Sequence, residues 1–220
     1  PWQAPTGGTN CERCGEDDFP CSKYSCETLG QACMWVEDSE GPDGGLCIAV
    51  NANDVSAPQI VGPTEELLSE GFEYKDINEN GFRIESKEKK CIDQYKRITF
   101  GFETNEYARC VISGNPEAKF EEMSPAGGSN GLKKNHAHIF GVGDLGLLGL
   151  ESLPPEEETN INLYVKCQDV LGRTTERAYA VGLCVVPLDF MAPAIVDSGP
   201  REIWTSYNKE TKEIERYTLE

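Results

Sequence analysis

The sequence predicts a mainly β protein in three parts: a small disulfide-rich head over residues 1–53, an antiparallel β-sandwich over 54–190, and a C-terminal β-hairpin segment over 191–220. Three observations carry this reading. Six of the ten cysteines (Cys11, Cys14, Cys21, Cys26, Cys33, Cys47) precede residue 60, a density that marks a crosslinked scaffold. Short strand-like runs separated by turn signals fill the middle of the chain, with no long helical pattern to compete. Finally, Asp54-Val-Ser-Ala-Pro-Gln-Ile-Val61 returns 135 residues later as Asp189-Phe-Met-Ala-Pro-Ala-Ile-Val196, the signature of tandem modules.

In the head, Pro20 precedes Cys21–Leu29 and Gly30 follows it, the asymmetry of a helix of about two turns. Cys33-Met-Trp-Val-Glu37 and Leu46-Cys-Ile-Ala-Val50 flank Ser39-Glu-Gly-Pro-Asp-Gly-Gly45, a hairpin pattern. A helix and a hairpin bury too little apolar surface to hold together unaided, so the six head cysteines are expected to pair among themselves. The alternative is a structural zinc on Cys11, Cys14, Cys21 and Cys26, against which stand the irregular second spacing and two cysteines left without partners.

In the middle part the strands expected are Phe82–Glu85, Ile98–Thr104, Ala108–Ile112, His136–Phe140, Asn162–Cys167 and Ala178–Val186. Alternation places Ile98, Phe100 and Phe102 on one face, Ala108, Cys110 and Ile112 on one face, and Leu163, Val165 and Cys167 on one face, as a sandwich requires.

Leu163-Tyr-Val-Lys-Cys-Gln-Asp-Val-Leu-Gly172 carries a penultimate-strand pattern, Y-x-x-C-x-D-x-x-G, that resembles immunoglobulin-like and fibronectin-type-III-like modules. The head pattern from Cys11 to Cys33, then Asp54-Val-Ser-Ala-Pro58, then Tyr164-Val-Lys-Cys-Gln-Asp169, is similar to the recurrent module of large secreted surface proteins of uncultivated archaea. The resemblance implies an immunoglobulin-like sandwich, a cell-surface location and a tandem architecture. Two departures matter: Ile98–Thr104 has no cysteine for the usual bridge across the sheets, and Val165 stands two residues before Cys167, where a tyrosine corner would sit. Cys110–Cys167 and Cys91–Cys184 are expected instead, one of three connectivities open to four cysteines.

Several motifs imitate chemistry. Gly127-Gly-Ser-Asn-Gly131 matches G-x-S-x-G but lacks the strand before and the helix after that a nucleophile elbow needs. Gly141-Val-Gly-Asp-Leu-Gly146 matches G-x-G-x-x-G, yet Pro154-Pro155 arrives too soon for the helix of a dinucleotide site. His136 and His138 share a strand face and amount to half a metal site, with Asp144 near in sequence; as plain strand residues they belong at a sheet edge or surface. Asp76-Ile-Asn-Glu-Asn-Gly81 begins like a calcium loop, but its twelfth position is Lys87, which excludes an EF-hand and leaves Asp76, Asn78 and Asn80 as a turn-type calcium candidate. No enzyme is expected and no cofactor beyond that calcium.

The net charge of −18 repels nucleic acid and anionic membranes, and no apolar run reaches the roughly 18 residues that span a bilayer. Cysteine usage places the protein outside the cytosol. After Val196, Glu202–Tyr207 and Ile214–Leu219 read as two strands around a polar turn. Either they begin a second sandwich, or Ile203, Trp204, Tyr207, Tyr217 and Leu219 dock on another copy. The expected function is an extracellular structural subunit of a filament or cell-surface array, polymerised with copies of itself head to tail. The rival is an adhesion or ligand-binding module whose contact surface is formed by the sandwich loops, especially the long one from Gly141 to Asn160.

Overall fold

The computed structural model describes residues 2–16, 19–38, 41, 44–51, 53–93, 96–128, 130–141, 158–186, 201–207 and 214–219, the last two stretches as backbone. Contacts divide the chain into two units, Pro1–Leu188 and Asp189–Glu220, so the head and the β-domain share the first. The fold is mainly β, with a single α-helix among the described residues.

That helix, α1 (Lys23–Leu29), starts where Ser22 and Ser25 form a capping box: the Ser25 amide donates to Ser22 Oγ and the Ser22 amide to Ser25 Oγ. It stops at Gly30, where a Cβ would come within 2.3 Å of the Gly7 carbonyl oxygen. The hairpin pairs β1 (Cys33–Glu37) with β2 (Gly45–Ala49). Three disulfides, Cys11–Cys33, Cys14–Cys21 and Cys26–Cys47, tie helix, hairpin and the N-terminal loop together. The head's core consists of these sulfurs with Leu29 and Trp35. All four cysteines of the zinc alternative are consumed in disulfides, so that alternative is withdrawn: an oxidised sulfur is not a thiolate ligand.

Nine strands form the main sheet: β3 (Ile60–Pro63), β4 (Phe72–Asn78), β5 (Gly81–Ser86), β6 (Ile92–Asp93), β7 (Ile98–Ser113), β8 (Ser124–Pro125), β9 (Lys133–Phe140), β10 (Thr159–Asp169) and β11 (Tyr179–Val186). Their order is β3-β7-β10-β11-β5-β4, with β8 and β9 also on β7 and β6 on β11. Pairing is antiparallel except between β11 and its parallel neighbours β5 and β6, so the sheet is mixed where the sequence suggested only antiparallel strands. From Ile161 onward β10 alternates fully buried residues with half-buried or exposed ones, the period-2 pattern its sequence shows.

The two strands expected at 98–104 and 108–112 are one strand of sixteen residues. Its first half pairs with β9 and β3, its second with β10 and β8. The β9 register shifts between Glu103 and Ala108, and there the buried Thr104 hydroxyl donates to the Glu106 carbonyl at 2.8 Å. An irregularity of this kind bends a strand without ending it. The sheet curls until β4 and β5 face the first half of β7: Tyr74 Oη donates to the Gly101 carbonyl and accepts from its amide, and the Phe82 and Phe100 rings lie 6.3 Å apart. The core between the facing layers includes Ile84, Phe100, Phe102, Phe140, Leu163, Val165 and Val181.

Cys110 and Cys167 stand directly opposite on β7 and β10 and are bridged; Cys91, just before β6, is bridged to Cys184 of β11. The head is held to the β-domain by the buried Asp38, whose Oδ2 accepts from the Leu132 amide at 2.8 Å, and by Glu12, paired to Lys134 at 3.0 Å. In the second unit β12 (Arg201–Tyr207) pairs with β13 (Ile214–Leu219), Ile203 opposite Tyr217. The side chains of Ile203, Trp204, Tyr207, Tyr217 and Leu219 lie outside the described residues, as does the repeat copy Asp189–Val196.

Candidate functional site: an open groove at the sheet edges

The sheet path begins at β3 and ends at β4, and among the described residues no strand pairs with the outer side of either; β6, β8 and β9, which branch from it, are likewise paired on one side only. Proline suits such an edge because it has no amide to donate, and Pro58 and Pro63 fall in and just before β3. Between the two edges lies a groove of about 880 Å³. One wall is the segment Ala57–Val61, another the β4–β5 turn at 77–80, a third the entry to β11 at 175–179. Val165 and Tyr179, both core residues, also line it. Val61 is 67% exposed and Ile77 54%, so the mouth presents apolar side chains to water.

The wall formed by the first repeat copy is fastened mainly through its backbone. Asp169, the buried last residue of β10, accepts from the amides of Leu171 and Arg173 through Oδ1 and from Arg173 Nε through Oδ2. Gly172, at φ +84°, permits the left-handed step that closes this turn. The guanidinium so oriented donates through Nη1 to the Asp54 carbonyl and stands 3.8 Å from its carboxylate. Farther along, Asn105 Oδ1 accepts from the Gln59 amide at 2.8 Å and the Asn105 amide donates to the Gln59 carbonyl at 3.0 Å. The Ser56 hydroxyl and amide both donate to the Asp54 carboxylate and hold its pKa below the usual value, with Arg173 assisting. Glu106, beside this cluster, is raised, chiefly by burial and further by the charges of Asp169 and Asp54.

The calcium candidate forms the second wall. Asp76 takes the left-handed conformation (φ 51°), Asn78 Nδ2 donates to the Asp76 carbonyl, and Asn78 Oδ1 accepts from the Asn80 amide. Asn80 Oδ1 accepts from Arg177 Nη1 at 3.0 Å. The oxygens of Asn78 and Asn80 thus each accept one hydrogen bond, within an Asx turn and from a guanidinium, an arrangement that knits β4–β5 to the entry of β11. Tyr179 Oη adds a bond to the Asn78 carbonyl at 3.3 Å.

His136 and His138 do share one face of β9, but it is the inner one: both are buried, at 4% and 8% exposure, not at an edge or surface. The reason is their register opposite Phe102 and Phe100, with whose rings they pack. His138 Nδ1 accepts from the Gly127 amide at 2.9 Å; His136 Nε2 lies 3.4 Å from both Thr104 Oγ1 and Cys110 Sγ. Burial lowers the His136 pKa to about 4, which makes it a neutral core residue at ordinary pH. Among the described residues no third ligand converges on the pair. Gly127 and Gly128 of G-x-S-x-G sit in a 3-10 turn with positive φ between β8 and β9, while Ser129, and the G-x-G-x-x-G after Gly141 with Asp144, fall outside the described residues.

Sequence reasoning singled out the repeat and the Y-x-x-C-x-D-x-x-G pattern, and the structure joins them: the Asp169 turn presents the arginine that clasps Asp54. It missed the groove itself, with Val61, Ile77 and Asn105, because which strands end a sheet is not written in local periodicity. No protein-family model matches the chain, and no curated protein or solved structure matches it either. The fold and groove therefore define the class directly: a disulfide-crosslinked, mainly β protein with an open groove between edge strands.

Proposed function

We propose that the protein is an extracellular structural subunit that polymerises head to tail, the C-terminal unit of one copy entering the edge groove of the next by strand addition. The single observation that carries this reading is the groove: it lies between the outer sides of the edge strands β3 and β4, core residues line it, and apolar side chains stand at its mouth. The second unit supplies a hairpin with Ile203, Trp204, Tyr207, Tyr217 and Leu219 as its candidate contacts. Because donor and acceptor are different surfaces, the contact is heterologous, and it propagates as a filament where its rotation does not close a ring. Five disulfides support an oxidising, extracellular setting, and the charge of −18 keeps the subunits soluble before assembly. The role is non-catalytic and needs no cofactor. Negative-stain electron microscopy of the purified chain over a concentration series tests it: ordered filaments are expected, whereas a chain that stays monomeric and binds cells or glycans is an adhesion module instead.

A further inference from the structure

The two repeat copies differ in a way that follows the burial of the first. In Asp54–Val61 the half-buried or buried positions are Asp54, Ala57, Pro58 and Ile60; the exposed ones are Val55, Ser56, Gln59 and Val61. The second copy keeps every residue of the first set, as Asp189, Ala192, Pro193 and Ile195. At the exposed positions it keeps Val196 and replaces Val55 by Phe190, Ser56 by Met191 and Gln59 by Ala194. The outcome is Phe-Met-Ala-Pro-Ala-Ile-Val, residues 190–196, without one polar side chain.

A strand with one wet face alternates; a strand covered on both faces reads as an unbroken apolar run. The second copy is thus the first copy with its solvent-facing side made apolar, a segment built for burial on both sides. The hairpin that follows is less suited to burial on both faces, since its strands carry Arg201, Glu202, Glu215 and Arg216. The groove offers an apolar strip for it, with Val61 and Ile77 at the mouth, Val165 and Tyr179 among the lining residues and Ala57–Val61 of the first copy as one wall, beside a polar side that carries Asn78, Glu79, Asn80, Glu176 and Arg177. Proline at position 193 is compatible with an added edge strand, as Pro63 is in β3.

We infer that the segment entering the groove is Asp189–Val196 of a second copy of this chain, laid beside Asp54–Val61 and covered on both faces. This rests on the assembly reading above and names the donor within it. Sedimentation velocity on the full chain and three double variants tests it. Met191→Ser with Ala194→Gln restores the polar residues of the first copy. Val61→Glu with Ile77→Glu charges the mouth of the groove at two exposed positions, where the fold tolerates it. Trp204→Ser with Tyr217→Ser alters only the hairpin.

The expected result is self-association weakened about a hundredfold by either of the first two pairs and retained by the third. Mixing the first two variants should yield a one-to-one complex and nothing larger, because only one intact donor and one intact groove remain per pair. Assembly that responds to the hairpin pair and ignores the Met191 and Ala194 pair overturns this inference and leaves the assembly reading standing. A parent chain that remains a monomer at all concentrations overturns both.

Discussion

Arg173 is held from one side and holds on the other. Asp169, its side chain wholly buried, orients the guanidinium, and the guanidinium grips the Asp54 backbone. Replacing Arg173 by alanine leaves that buried carboxylate unpaired, a loss of about 3 kcal/mol by analogy with broken buried ion pairs. Lysine, with a single ammonium, cannot serve Asp169 and Asp54 together, so Arg173→Lys recovers little of it. Urea denaturation of the two variants checks both statements. His136 supplies a second residue-scale test. Its folded pKa, about 4, lies below its unfolded value of 6.5, so the folded state binds fewer protons between them. The His136 contribution is intact above pH 6.5 and is lost as pH falls toward 4, by up to about 3 kcal/mol. Urea midpoints measured from pH 7 to pH 4 should fall less steeply for His136→Phe than for the parent; parallel slopes would show that His136 protonates freely in the fold.

Disulfides act at the scale of elements, and their loops differ enough to rank them. Cys110–Cys167 and Cys91–Cys184 span 57 and 93 residues, Cys14–Cys21 only 7. In the chain-entropy description, removing either long-range bridge costs about 4 kcal/mol and removing Cys14–Cys21 about 2 kcal/mol. Paired alanine variants compared by urea midpoint give the order; an equal effect for all three contradicts it. The β4–β5 turn makes its own prediction. With Asn80 bound to Arg177, calcium or a chelator should leave the melting temperature unchanged, and a rise of several degrees with calcium would restore the ion to that turn. The helix of the head and its hairpin were legible because capping residues, glycine and turn clusters are local signals. The pairing of six cysteines was not, since fifteen connectivities fit the same spacing. β7 was read as two strands for a physical reason: Asn105-Glu106-Tyr107 breaks the apolar alternation, and only pairing with β9 and β10 shows that the chain bends there without stopping. The histidines were misplaced because alternation assigns residues to a common face but does not say which face is inner.

For the whole molecule, the decisive property is that the main sheet is open. Its end strands, β3 and β4, come from chain segments that a linear reading has no reason to associate, and the groove between them exists only once the sheet order is known. The repeat is legible in the sequence as a module boundary; in three dimensions part of its first copy becomes a groove wall, and the strand role given to its second copy is the inference drawn above. Intact mass should rise by the ten hydrogens of five disulfides on reduction, and a smaller gain would mean free thiols. The central claim is that copies associate through the edge groove, and hydrogen exchange followed by mass spectrometry across a dilution series addresses it most directly. Protection gained on assembly should concentrate in residues 57–61 and 77–80 and in the peptide containing 190–196. Protection confined to the head, or exchange that does not change with concentration, would contradict it.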